Sequence, residues 1–114
     1  MLIMARSPGQ TTMLGDDVEV TVAAIFRDRV RLEVNYVDAF HRTPLEGSFV
    51  AEPRRGERVH IDRGVSCQLV DVRPDCAVCR LGFVAPREMA VHRREVYDAL
   101  KAHYRKTTDR KSVV

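Results

Sequence analysis

The chain repeats itself, and that limits what it can fold into. Gly9-Gln10 returns 47 residues later as Gly56-Glu57. At the same spacing Val20 corresponds to Cys67, Val22 to Leu69 and Ile25 to Val72, and Gly15-Asp16-Asp17-Val18 falls near Asp62-Arg63-Gly64-Val65. Val30-Arg31-Leu32 returns 49 residues later as Cys79-Arg80-Leu81, so the second copy carries a two-residue insertion around Pro74-Asp75-Cys76. A hairpin tip tolerates such an insertion because little packs against it. With 114 residues to share, the copies form one compact unit or two very small repeats around a common core.

Both copies read as short antiparallel strands. Val18, Val20 and Val22 alternate with Glu19 and Thr21, and Val30, Leu32 and Val34 alternate with Arg31 and Glu33. Period-two alternation places one face in a core and the other in water. Gly15-Asp16 and Arg27-Asp28 supply turns in the first copy, and Arg63-Gly64 and Pro74-Asp75 in the second. From Arg94 onward Val96, Tyr97, Leu100 and Tyr104 share one side of a helix. The expected class is therefore mainly β with one C-terminal α-helix. The first repeat is read as residues 1–42, a linker as 43–47, the second repeat as 48–106 and a flexible tail as 107–114. Pro44 and Gly47 argue against a helix in the linker.

Composition narrows the chemistry. No apolar run approaches the length needed to span a bilayer, and Met1-Leu2-Ile3-Met4 lacks the basic lead-in of a signal peptide. A cytoplasmic setting is expected. The net charge of +3 is weak, although Arg93, Arg94, Lys101, Arg105, Lys106, Arg110 and Lys111 crowd the C-terminal stretch. Three cysteines do not make a secreted disulfide framework. Cys76-Ala77-Val78-Cys79 is formally C-x-x-C, but a structural zinc site needs two such pairs. Cys67 and Cys79 fall at apolar strand positions and are expected to be buried thiols, so neither metal nor cofactor is assigned. Gly-rich phosphate loops and nucleophile–base constellations are missing, and Asp16-Asp17 beside Gly15 is ordinary turn chemistry. The chain is not expected to be an enzyme.

The two ends carry the sharpest signal. Met1-Leu2-Ile3-Met4-Ala5-Arg6 is an apolar strand ending in arginine, and Ala85-Pro86-Arg87-Glu88-Met89-Ala90-Val91-His92-Arg93 is an A-P-x-E-x-A-V-H-R segment running into a helix. Together they resemble the edges of the carbon storage regulator (CsrA/RsmA) family of small bacterial RNA-binding translational regulators. The resemblance covers all but about the last dozen residues and takes the form of a tandem, single-chain version of a normally dimeric protein. It implies intertwined antiparallel CsrA-like sheets, in which strands one and five of each copy pair with the middle strands of the other. It also implies recognition of GGA-containing mRNA hairpins or leader sequences, with repression by occlusion of the ribosome-binding site.

By that resemblance, RNA lies across strand one of one copy and strand five of the other. Met4 and Arg6 would line one side of a composite site, and Met89, Val91 and Arg93 the other; Ala85 and Pro86 match the turn whose backbone helps read guanines. His92 alternates with these residues and is read as structural. The reciprocal site is damaged. Pro53 stands where Arg6 does, Glu52 adds a charge that repels phosphate, and Asp38-Ala39-Phe40-His41-Arg42 meets Thr43-Pro44 where a helix would start. Arg42 and Val50 mark a vestigial second site. The expected partners are mRNA, a small regulatory RNA, or a protein antagonist resembling the flagellar assembly protein FliW. The alternative function is a protein-interaction module that kept the fold with little RNA binding. A monomeric pseudo-dimer is expected.

Overall fold

The computed structural model describes residues 1–37 and 47–113. Strand-five residues 38–42 of the first copy, Arg42 among them, and linker residues 43–46 lie outside the described residues. Along the chain run β1 (Leu2–Arg6), β2 (Thr11–Leu14), β3 (Val18–Ile25), β4 (Val30–Tyr36), β5 (Phe49–Ala51), β6 (Arg58–Asp62), β7 (Val65–Arg73), β8 (Val78–Val84), β9 (Val91–Arg93) and α1 (Arg94–Val113).

The strands form two antiparallel sheets, ordered β1-β8-β7-β6 and β5-β4-β3-β2-β9 among the described residues. Neither sheet belongs to one repeat. β1 of the first copy pairs with β8 of the second, while β5 and β9 of the second copy pair with β4 and β2 of the first. The copies are therefore interlaced, as the resemblance implies.

The register carries the repeat into three dimensions. Met4 pairs with Leu81 across β1 and β8, and Ala51 pairs with Leu32 across β5 and β4. Both ladders shift register at equivalent places, between Val22 and Ala24 and between Leu69 and Asp71. The loop after strand one is also duplicated. Gly9 N donates to Val22 O at 2.7 Å and Gly56 N to Leu69 O at 2.7 Å. The Gln10 and Glu57 side chains accept from Ser7 N and Arg54 N at 2.9 and 2.7 Å. Gly9 and Gly56 adopt φ of 87° and 85°, which other residues adopt at a cost.

The alternating residues build one core. Leu14, Val18, Val20, Val22, Val30, Leu32 and Val34 from one sheet meet Met4, Ile61, Val65, Cys67, Leu69, Cys79, Leu81 and Phe83 from the other. Neither set alone would support a fold, because so little apolar area could be buried. The Tyr36 hydroxyl crosses between the sheets and donates to Ile61 O. The two-residue insertion is a 3-10 turn, Pro74–Cys76, closed by Ala77 at φ 52°.

Three boundaries differ from the sequence reading. Strand one of the second copy is only Phe49–Ala51 and stops short of Pro53, the match of Arg6, since Pro53 has no N–H for the ladder. β9 begins at Val91, two residues after Met89. The helix runs to Val113, past the boundary at 106, since no Gly or Pro interrupts Arg94–Val113 and Thr107-Thr108 lowers helix propensity without breaking it. The side chain of Tyr104 lies outside the described residues.

Candidate nucleic-acid interface

β1 edges one sheet and β9 edges the other, and β2 brings them together. Thr12 pairs with Arg93 and Leu14 with Val91 in the β2–β9 ladder. From the other side, Thr12 Oγ1 donates to Met4 Sδ at 3.4 Å, and Arg6 Nη1 donates to Thr11 O at 3.0 Å. Arg6 Nη2 reaches Glu95 Oε1 at 3.4 Å, two residues beyond Arg93. At its other end β1 pairs Leu2 with Phe83, two residues before Ala85. β1 thus ends beside Glu95, and through Thr11 and Thr12 it shares β2 with β9.

β2 therefore makes a junction, lying between Met4 and Arg6 on one side and Val91 and Arg93 on the other, while Ala85, Pro86 and Met89 lie in the segment leading into β9. Ala85, Pro86, Met89 and Val91 are half-buried and Arg93 is exposed. Met89 N donates to Pro86 O at 2.9 Å, which closes the turn, and the Met89 side chain lies against Gly15. His92 is half-buried opposite Met13 in the ladder. Leu2 and Ile3, which the sequence reading did not assign, are about half exposed, at 47% and 49%.

Arg6 sits inside the junction, only 3% exposed, rather than on its surface. Its Nε also donates to Ala5 O at 2.9 Å. A buried guanidinium needs such partners, because leaving it unpaired is costly. The Glu95 carboxyl is held below its ordinary value, first by its own backbone N–H and then by the Arg6 guanidinium. α1 docks beside the junction. Arg94 Nη1 meets Glu19 Oε1 at 2.9 Å, and Tyr97 Oη and Lys101 Nζ meet Asp16 Oδ1 at 2.7 and 3.1 Å.

The equivalent positions on β5 lack this machinery. Ala51 replaces Met4 and Pro53 replaces Arg6, with Pro53 O accepting from Val30 N at 3.2 Å. Val50 is 60% exposed. Glu52 is not a bare repelling charge: Arg29 Nε and Arg31 Nε hold its two oxygens at 3.1 and 2.8 Å. Arg29 and Arg31 also lie over the Phe26 ring, at 4.6 and 5.2 Å from its centroid.

Cys67 and Cys79 occupy core positions, and burial pushes their thiols up to about 12 and about 11. Cys76 is exposed at the hairpin tip. Among the described residues no three His, Cys, Asp or Glu side chains are grouped as metal ligands would be, and no helix is long and apolar enough to cross a membrane.

Fold and junction define a class: a strand-exchanged β-protein whose two repeats share one core and whose β1 and β9 converge on β2. The CsrA model, described as the global regulator protein family, matches residues 1–37 and 52–102, so the chain belongs to that family. The two matched segments follow the two repeats. Among curated proteins, the translational regulator CsrA of Rhodopirellula baltica is 42% identical over 52 residues, which span 46% of this chain and 71% of that protein. No solved structure matches the chain.

Proposed function

We propose that the chain is an RNA-binding translational regulator that recognises GGA-containing mRNA through one composite site, formed by β1 and the 85–93 segment. One observation carries this reading: β1 and β9, from different repeats, converge on Thr11 and Thr12 of β2. RNA sequence is mostly read from unpaired bases splayed against protein groups. Half-exposed Leu2 and Ile3 offer apolar contact, and exposed Arg93 offers planar donors for a guanine edge or a phosphate. Buried Arg6 acts here as a positioning residue that fixes β1 against β2 and α1. Similarity to a protein named as a translational regulator supports the same assignment.

The test is titration of a GGA hairpin into wild type and Arg93→Ala. Loss of Arg93 is expected to cost about 1–3 kcal/mol in binding, with folding unchanged. Equal affinity for both proteins sinks the reading. Because the described strands of each copy find partners within the chain, the protein acts as a monomer with the architecture of a dimer. Light scattering is expected to return the mass of one chain, 13.0 kDa.

A second reading rests on α1, where Val96 and Leu100 are 41% and 50% exposed. Such apolar side chains suit a protein antagonist of the FliW kind. Stoichiometric capture of one protein that Leu100→Glu abolishes, without bound RNA, would favour it over the first.

A further inference from the structure

The two sheets turn outward faces of different charge. The register and the repeat match each outward position on one sheet with a counterpart on the other. On the five-stranded sheet these positions include Glu19, Glu33 and Glu52; their counterparts on the four-stranded sheet are Ser66, Gly82 and Ala5. Three carboxylates are thus matched by small neutral residues, of which Ser66 and Gly82 are buried and Ala5 is exposed. At Gly82 the Met1 side chain lies against the backbone, and an added Cβ would have to displace it.

Basic residues accentuate the difference. Arg80 Nη2, Arg55 Nη2 and Arg73 Nε approach the single carboxylate of Asp71 at 3.2, 3.5 and 3.9 Å, and Arg58 Nη2 meets Gln68 Oε1 at 3.3 Å. Three guanidinium groups therefore share the Asp71 carboxylate, and Arg58 adds a fourth beside them. On the opposite face Arg29 and Arg31 are engaged by Glu52, and Arg94 by Glu19. Arg55 and Arg73 have no basic counterparts in the first copy, where Pro8 and Phe26 stand. Beside Asp71 a cleft of about 250 Å³ is lined by Ala5, Arg73, Val78, Cys79 and Arg80.

This face adjoins the junction. β1 is both its edge and one wall of the proposed site. Met4 and Arg6 are buried toward β2, whereas Ala5 between them is exposed and pairs with Arg80. A strand leaving the junction across β1 arrives over Ala5 and meets Arg80, then Arg73 and Arg55.

We propose that the outward face of the four-stranded sheet, centred on Arg55, Arg73 and Arg80, is a phosphate-binding surface for the single-stranded flanks of an RNA held at the junction. The proposal rests on the RNA-binding reading above and deepens it. Guanidinium groups bind phosphate oxygens through charge-assisted, often bidentate hydrogen bonds, and they release condensed counterions as they do so. Asp71 holds the three arginines together while leaving their combined charge in excess.

The experiment compares a minimal GGA hairpin with the same hairpin carrying single-stranded extensions, each titrated across a salt series. The proteins are wild type and the double variant Arg55→Ala/Arg73→Ala, which leaves the junction and the Arg80–Asp71 pair in place. Wild type is expected to bind the extended RNA more tightly and with a steeper salt dependence. The double variant is expected to bind the minimal hairpin as wild type does. It should lose the gain from extension, and its log–log salt slope on the extended RNA should be shallower by ~1.4, about 0.7 for each lost phosphate contact to a single strand. If extension brings wild type no gain, or the double variant keeps the gain, the phosphate surface is overturned while the junction stands. If wild type binds neither RNA, both readings fall.

Discussion

β1 and β5 are the same strand of a repeat, placed at equivalent edges of the two sheets, and they have come to do different things. β1 is five residues long and ends in Arg6, whose guanidinium fastens it to Thr11 and Glu95. β5 is three residues long and gives way to Glu52-Pro53, where Glu52 binds Arg29 and Arg31. Both strands still complete a ladder against the other repeat. The contrast separates two jobs that the fold gives to one element: closing a sheet, which tolerates Pro53 at the edge, and building a recognition junction, which needs the longer strand. The chain has kept the first job twice and the second, on our reading, once.

Breaking the shared core tests the common job first. Leu32 and Leu81 are equivalent and both are fully buried. Leu32→Ala and Leu81→Ala are each expected to cost about 2–5 kcal/mol in urea unfolding, and each should shift one cooperative transition. Two separate transitions would show that the halves fold independently, against the interlacing described here. The positions of Arg6 and Pro53 come next. Arg6→Ala removes a charged hydrogen bond to Thr11 O in a buried setting and should cost about 1.5–3 kcal/mol of stability. Pro53→Ala at the matching position should change stability by less than about 1 kcal/mol. Comparable losses from both would mean that β5 is fastened as β1 is.

At the level of function, Arg93→Ala should weaken hairpin binding by about 1–3 kcal/mol, while Val50→Ala on the exposed face of β5 leaves affinity unchanged. A large effect at Val50 would restore the second site. The smallest effect concerns pH. The buried Cys67 thiol is pushed up to about 12, whereas an unfolded thiol titrates near its ordinary value of 9.0. Between these values the unfolded chain holds fewer protons than the folded one, so stability falls as pH rises, by about 1.4 kcal/mol per pH unit for this thiol. Urea midpoints at pH 8 and pH 10 should reveal the fall, and Cys67→Val should remove its thiol-dependent part. The first copy has Val20 there and contributes no such slope.

Much of the fold was legible because strand alternation and the 47-residue spacing are local facts of sequence. Val18, Val20 and Val22 pointed inward because every second residue must. The A-V-H-R segment and the opening apolar strand pointed to chain ends that meet, and the structure brings both to β2. What stayed hidden depends on partners that only the register reveals. Arg6 reads as an RNA-lining residue at a strand end, because nothing nearby in sequence announces Thr11 O or Glu95 as its acceptors. Glu52 reads as a repulsive intruder until Arg29 and Arg31 are seen beside it. The charge difference between the outward faces is likewise invisible in a net charge of +3, since it needs Ser66, Gly82 and Ala5 to be matched with Glu19, Glu33 and Glu52 across two sheets.

The central claim is that one chain offers one landing surface, made where β1 and the 85–93 segment converge on β2. Native mass spectrometry of the full chain with excess GGA hairpin measures this directly. The account predicts a complex of one hairpin per chain, lost in Arg93→Ala; two hairpins bound per chain with equal affinity, or a one-to-one complex indifferent to Arg93, would contradict it.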